Sequence, residues 1–267
     1  MKNLVSVVCL LGAMAINLTG CATPRDEGEV VTLRVMSYNI RHGEGMDGRV
    51  DLERIAEVIR SSGADIVALQ EVDRGVERTD GRDLTAELAV LTGMHGVFSN
   101  NFDFEGGEYG NAVLTRFPVA NSTNRHYEMI REGEQRGLLQ VRLQVGTREL
   151  LLWNTHLDYR PDDVERWSSV GEILEELARS KELPVVLCGD LNDVPESRTL
   201  TRLKDRFMDA WESAGTGESR THSSTIPSKR IDYILIRRGS GIRVLKAWTI
   251  DSRASDHRPV VADLEWR

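Results

Sequence analysis

Short apolar runs that end in polar residues set the strongest limit on how this chain folds. They lie at Thr32–Tyr38, Asp65–Gln70, Ala112–Phe117, Gly137–Val145, Glu149–Asn154, Pro184–Cys188, Arg230–Ile236, Val244–Ile250 and Pro259–Glu265, each rich in Val, Ile, Leu or aromatic residues. Runs of this length and composition read as strands. Two segments carry a helical period instead. After Asp51 as N-cap, Leu52, Ile55, Ala56 and Ile59 fall at i, i+3, i+4 and i+7. A second helix is expected to begin near Pro161-Asp162, with Val164, Trp167, Val170, Leu174 and Leu177 on one stripe. Many strands with few helices between them predict two packed sheets with helices outside, an α+β sandwich. The length of 267 residues suits one large domain or two small ones, and no internal repeat is evident.

The residues that follow these runs are chemically uniform. Thr32–Tyr38 gives way to Asn39, and Asp65–Gln70 to Glu71. Later runs lead into Thr155-His156-Leu157-Asp158 and Gly189-Asp190-Leu191-Asn192-Asp193. Near the end come Arg230-Ile231-Asp232-Tyr233 and Ser255-Asp256-His257. Taken singly, an Asp or Asn after a strand is turn chemistry, and a lone histidine is more often packed than catalytic. Taken together they supply what phosphodiester hydrolysis needs. Oxygen ligands hold a magnesium-like ion, an imidazole and a carboxylate manage protons, and amides orient water and phosphoryl oxygens.

The ordered set Ser37-Tyr38-Asn39, Gln70-Glu71, Asn154-Thr155-His156-Leu157-Asp158, Gly189-Asp190-Leu191-Asn192, Arg230-Ile231-Asp232-Tyr233 and Ser255-Asp256-His257 resembles the motifs of the endonuclease/exonuclease/phosphatase superfamily, in its order. The resemblance runs over about residues 32–266 and is closest to the deoxyribonuclease-like and sphingomyelinase-like members. It implies a four-layered α/β sandwich of two mainly antiparallel sheets flanked by helices, over residues 31–267. It also implies a metal-dependent phosphoric ester hydrolase using Mg²⁺ or Mn²⁺. By the same resemblance Glu71 is the principal metal ligand, with Asn39 beside it and Asp256 near the metal. Asp190 and Asn192 position or activate the attacking water. His257 binds a phosphoryl oxygen or takes a proton, and Asp232 pairs with it. His156 matches a candidate general acid for the leaving alcohol.

Asn111 is a further candidate for orienting a phosphoryl oxygen, with a turn before Ala112–Phe117 as the equal alternative. Asn39-Ile40 is followed by Arg41, where abasic-site and exonuclease-like members often carry a second acidic or amide residue. A cation cannot be a ligand, so one ion is expected near Glu71. Arg41 then contacts an anionic substrate or forms a surface ion pair. Asn100–Gly110, with Phe102 and Phe104, reads as a surface loop, or else as a mobile lid or lipid-contacting edge. Arg125, Arg131 and Arg136 alternate with Glu128, Glu132 and Glu134, which reads as a solvated loop rather than a basic groove.

The N-terminus has a different character. Lys2 precedes an apolar run from Leu4 to Ile16, and Leu18-Thr19-Gly20-Cys21 follows. This pattern predicts a signal peptide over residues 1–20, and its ending looks like a bacterial lipobox with Cys21 lipidated. A plain signal peptide and a short membrane anchor are the alternatives, although the run is short for a span of roughly 20 residues. Residues 22–30 read as a tether. With Cys9 in the signal and Cys21 lipidated, Cys188 remains as a small core residue. The expectation is an exported, membrane-anchored monomer.

Lys+Arg total 34 against 42 Asp+Glu, a net charge of −8, which argues against a dedicated nucleic-acid binder. Export, anchor and charge favour a small or lipid-linked phosphoester as substrate. An extracytoplasmic nuclease is the alternative, and an inactive binding module the third reading.

Overall fold

A computed structural model describes residues 30–181 and 183–267. The expected signal peptide, Cys21 and the tether up to residue 29 lie outside the described residues. Twelve strands among the described residues form two six-stranded sheets. The first holds β1 (Val31–Asn39), β2 (Ile66–Arg74), β3 (His95–Phe104), β4 (Gly107–Thr115), β11 (Ile242–Thr249) and β12 (Val260–Trp266), in the order β11-β12-β1-β2-β4-β3. The second holds β5 (Val119–His126), β6 (Gly137–Val145), β7 (Arg148–His156), β8 (Val185–Asp190), β9 (Phe207–Asp209) and β10 (Asp232–Arg237), in the order β5-β6-β7-β8-β10-β9. Each sheet has one parallel pair, β1 with β2 and β7 with β8, and its other pairings are antiparallel.

Alternation along the strands sorts the apolar residues into three cores. Leu33 and Val35 of β1 face Val141, Leu152, Val186 and Ile234 of the opposite sheet. Met36 and Tyr38 of the same strand face outward, onto α1 (Leu52–Ser62) and α2 (Leu84–Thr92). On the far side, Trp153 and Leu187 meet α3 (Val164–Arg179) and α4 (Arg198–Lys204). The layers are therefore helices, sheet, sheet, helices. The expected four-layered sandwich is the observed one.

The cap expected at α1 is present, since Asp51 accepts hydrogen bonds from Glu53 N and Arg54 N. A cap contributes about 1 kcal/mol, whereas burying each Leu or Ile contributes about 1.5–3 kcal/mol. Leu52, Ile55 and Ile59 thus do most to hold α1 in place. In α3 the buried apolar residues are Val170, Ile173 and Leu177, while Val164 is exposed. Trp167 is half-buried under the guanidinium groups of Arg198 and Arg202, each 4.5 Å from its ring.

Three strands and three helices were not expected. β5 is a polar edge strand and β9 is three residues long. Residues 84–92 have no apolar stripe, and α4 and α5 (Ala210–Ala214) are short. The segment expected as a loop at Asn100–Gly110 is a β-hairpin. Its turn residues Glu105 and Gly106 have φ of 43° and 79°, the left-handed pair that joins antiparallel strands tightly. Among the described residues no helix is long and apolar enough to cross a membrane.

Candidate active site

The two parallel pairs point the same way and end at the same edge of the sandwich. β1 ends at Asn39, β7 at His156 and β8 at Asp190, while β10 begins at Asp232, directly opposite Asp190. β2 runs past its expected end to Arg74, and Glu71 sits in an irregularity of its pairing with β4 between Leu69 and Val72. Its φ of 58° is unusual for a residue with a side chain. Such bulges re-aim a side chain, and this one sends Glu71 into the cleft. Gly189 answers a second steric demand. A Cβ there would lie 2.1 Å from the carbonyl oxygen of Thr155. Glycine lets β7 and β8 close, which sets His156 opposite Asp190.

Asp190 is the hub of the site. Its Oδ2 accepts from Asn39 Nδ2 at 3.0 Å and lies 3.6 Å from His156 Nε2 and 3.7 Å from His257 Nε2. Its Oδ1 accepts from the backbone N–H of Asn192 at 2.9 Å. Burial, with the Asp232 carboxylate, pushes the Asp190 carboxyl above the usual range. Burial works against charge on His257, but Asp232, 2.9 Å from its Nδ1, and Asp190 outweigh it and hold its pKa well above that of an ordinary histidine. His257 is therefore an imidazolium held between two carboxylates.

His156 has the opposite character. Burial, Arg136 and His257 all lower its pKa well below the usual value. Arg136 Nη1 lies 3.1 Å from Nδ1, and Asn192 Nδ2 lies 3.1 Å from Nε2. A guanidinium and an amide nitrogen both only donate, so each ring nitrogen faces a donor, and the neutral ring accepts from one of them and turns its single N–H toward the other. That state disfavours the general-acid role expected of His156.

Asn39 spans the carboxylates. Its Nδ2 donates to Glu71 Oε1 at 2.9 Å as well as to Asp190, while its Oδ1 accepts from Arg41 N at 3.0 Å. Asn39 thus orients Glu71, and one accepted hydrogen bond leaves the second lone pair of its oxygen for the ligand role expected of it. The half-buried carboxylates of Glu71 and Asp256 both line the cleft. They are the hard oxygen donors that Mg²⁺ or Mn²⁺ takes, so the residues present fit such an ion. One ligand atom each from His222, Asp256 and His257 also lie within 4.8 Å of one another.

The cleft holds about 540 Å³. Asn111 is buried on β4 beside the Glu71 bulge, and neither amide atom has a partner among the described residues. Arg41 forms an ion pair with Glu44 at 3.0 Å and lies 3.8 Å from Asp256. The surface ion pair was one of its two expected fates.

Sequence reasoning missed several cleft residues. Arg136, expected in a solvated loop, is 4 % exposed and reaches His156 and Glu134. Arg125 lies on β5, not in the expected loop, and pairs with Glu172 of α3, while Arg131 does lie in a loop and pairs with Asp162. His222 packs its ring 4.8 Å from that of His257. Phe102, Phe104 and Tyr109 line the cleft from the hairpin.

A sequence profile of the Endonuclease/Exonuclease/phosphatase family matches residues 36–257. The chain belongs to this family. It is 25 % identical over 255 residues to the uncharacterized protein YbhP of Escherichia coli K12, covering 90 % of this chain and 98 % of that protein. It is 29 % identical over 192 residues to a 5'-tyrosyl-DNA phosphodiesterase of Caenorhabditis elegans, covering 68 % of this chain and 48 % of that one. A family structure from Beutenbergia cavernae superposes with a TM-score of 0.73 at 26 % identity, covering 88 % of this chain and 72 % of that one. Membership makes the chain a phosphoesterase by family.

Proposed function

We propose that the protein hydrolyses a small or lipid-linked phosphoester by in-line attack of water, with a divalent ion, Mg²⁺ or Mn²⁺, held by Glu71 and Asp256. The observation that carries this is the Asp190 carboxylate, buried and shared among Asn39, Asn192 and two histidines. The bound ion supplies positive charge against that developing on the phosphoryl oxygens. Asp190 orients the water and accepts its proton. The imidazolium of His257 faces a phosphoryl oxygen, and the amides of Asn111 and Asn192 orient the others. His156, neutral and beside Asn192, lines the side of the leaving oxygen, which takes its proton from solvent.

The cations of the cleft bear on substrate size. The cleft's guanidiniums are paired, Arg78 with Asp73, Arg136 with Glu134, Arg160 with Asp158 and Arg166 with Asp193, and Lys229 lines it as well. Paired guanidiniums make a weak track for a polyanion, which favours a small ester over DNA or RNA. Export and a lipid on Cys21 would put a monomeric enzyme against a membrane outside the cytoplasm.

The test is a panel of bis-p-nitrophenyl phosphate, p-nitrophenyl phosphate, sphingomyelin, plasmid DNA and RNA, each with Mg²⁺, Mn²⁺ or chelator. Turnover of a small ester that chelator abolishes is expected, with Asp190→Asn lowering it by about 10²–10⁴. Full turnover in chelator would sink the metal reading, and undiminished turnover in the variant the role of Asp190. Cys21→Ala should release the protein from membranes.

A further inference from the structure

We propose that the β3–β4 hairpin forms a stacking subsite for a planar ring, so that the phosphoester carries an aryl group or nucleobase. The proposal rests on the phosphoesterase reading and adds to it the nature of the group attached to phosphorus. In the register of the hairpin Phe102 pairs with Tyr109 and Phe104 with Gly107, which sets the three aromatic side chains on one face. Their ring centroids lie 5.0 Å (Phe102 to Tyr109), 6.1 Å (Phe102 to Phe104) and 6.4 Å (Phe104 to Tyr109) apart. The pairing shifts between Asn100 and Phe102, the kind of irregularity that re-aims a strand.

This face is held by a cation that itself lines the cleft. Arg78 lies 4.8 Å over Phe104 and 5.5 Å over Tyr109, and both arms of its guanidinium are bound at 2.8 Å to the buried carboxylate of Asp73. Arg78 is thereby held against the rings before any ligand arrives. Tyr109 is buried, whereas Phe102 and Phe104 stay half-exposed toward the cleft. Two half-exposed phenylalanines in a cleft lined mainly by charged and polar groups forgo burial unless a ligand covers them.

Position ties the face to the reacting centre. Tyr109 precedes Asn111 by two residues on β4, roughly 7 Å along an extended chain. Phe102 and Phe104 lie further toward the hairpin tip. A ring joined to phosphorus by one ester oxygen, or through a sugar, spans that interval. Offset-stacked and edge-on contacts with Phe102 would hold it.

Calorimetric titration in Mg²⁺ with non-hydrolysable ligands tests this without turnover. Phenylphosphonate is compared with methylphosphonate, and the methylene phosphonate analogue of adenosine 5′-phosphate with that of ribose 5-phosphate. In at least one pair the ring-bearing member should bind about 5-fold or more tightly. The pair that responds tells an aryl group from a nucleobase. The double variant Phe102→Leu, Phe104→Leu keeps an apolar face, and the preference should fall to near unity in it with the melting temperature retained. Equal binding within both pairs overturns the subsite while leaving the phosphoesterase reading intact. A preference that survives the double variant overturns its location. Failure of every phosphonate to bind overturns both.

Discussion

Two histidines approach the same oxygen of Asp190 from the second sheet and from the C-terminal segment, and they end in opposite states. His156 Nε2 lies 3.6 Å from Asp190 Oδ2, and His257 Nε2 lies 3.7 Å from it. Both rings are buried, and burial lowers the pKa of each. What differs is the group at Nδ1. A carboxylate, Asp232, meets His257, and a guanidinium, Arg136, meets His156. The lesson is that, at equal depth, the charged neighbours of a buried imidazole decide whether it carries charge. One side of the site thus offers a cation and the other a neutral ring, around one carboxylate.

The largest expected effect comes from erasing the difference on the His257 side. Asp232→Asn keeps the shape but removes the charge that holds the imidazolium, and turnover of bis-p-nitrophenyl phosphate should fall by about 10²–10⁴. A loss of less than tenfold would mean that His257 acts without its proton. A smaller effect is expected on the other side. Arg136→Gln removes the fixed donor at His156 Nδ1, so the ring is free to rotate or change tautomer. The fall in kcat should be about 10–100-fold, the range seen when groups orienting a functional histidine are lost. Arg136→Lys should recover part of it. A change confined to KM would show that Arg136 touches substrate instead of positioning His156.

Most of this site was legible in the chain because it is built from strand ends. Asn39, His156 and Asp190 each close a strand, so the boundary between apolar run and polar residue located them. Glu71 was found although β2 continues to Arg74, since a bulge imitates a strand end in sequence. Arg136 was missed because its meaning is tertiary. Glutamates at nearby positions made it look solvated, and only its approach to His156 across the β6–β7 pairing reveals otherwise. The aromatic hairpin had a local signal that went unread. Phe102, Phe104 and Tyr109 alternate with polar residues around Glu105-Gly106, which is strand periodicity about a two-residue turn. His222 had no such signal, for its place beside His257 is set by the packing of two distant segments.

The subtlest separation of the two histidines is in stability against pH. His156 has a folded pKa below its unfolded value of about 6.5. The unfolded state therefore takes up its proton first as pH falls. Stability from this group is present above pH ~6.5 and is lost as pH falls from there through the folded value. His257 has the reverse linkage. Its folded pKa is raised, so its contribution is complete below pH ~6.5 and is lost as pH rises through the folded value. Urea midpoints taken from pH 5 to 9 should therefore carry an acid-side decline from His156, partly offset by Asp190, whose raised carboxyl has the opposite linkage, and an alkaline-side decline from His257. Arg136→Gln removes one of the charges that oppose protonation of His156, so the acid-side decline should become shallower while the alkaline side is unchanged. Asp232→Asn should flatten the alkaline side most, with a smaller change below pH ~7 because Asp190 loses the neighbouring charge that raises it. If either variant altered both limbs equally, the two rings would be titrating as one unit through Asp190, and the division of charge between them would fail.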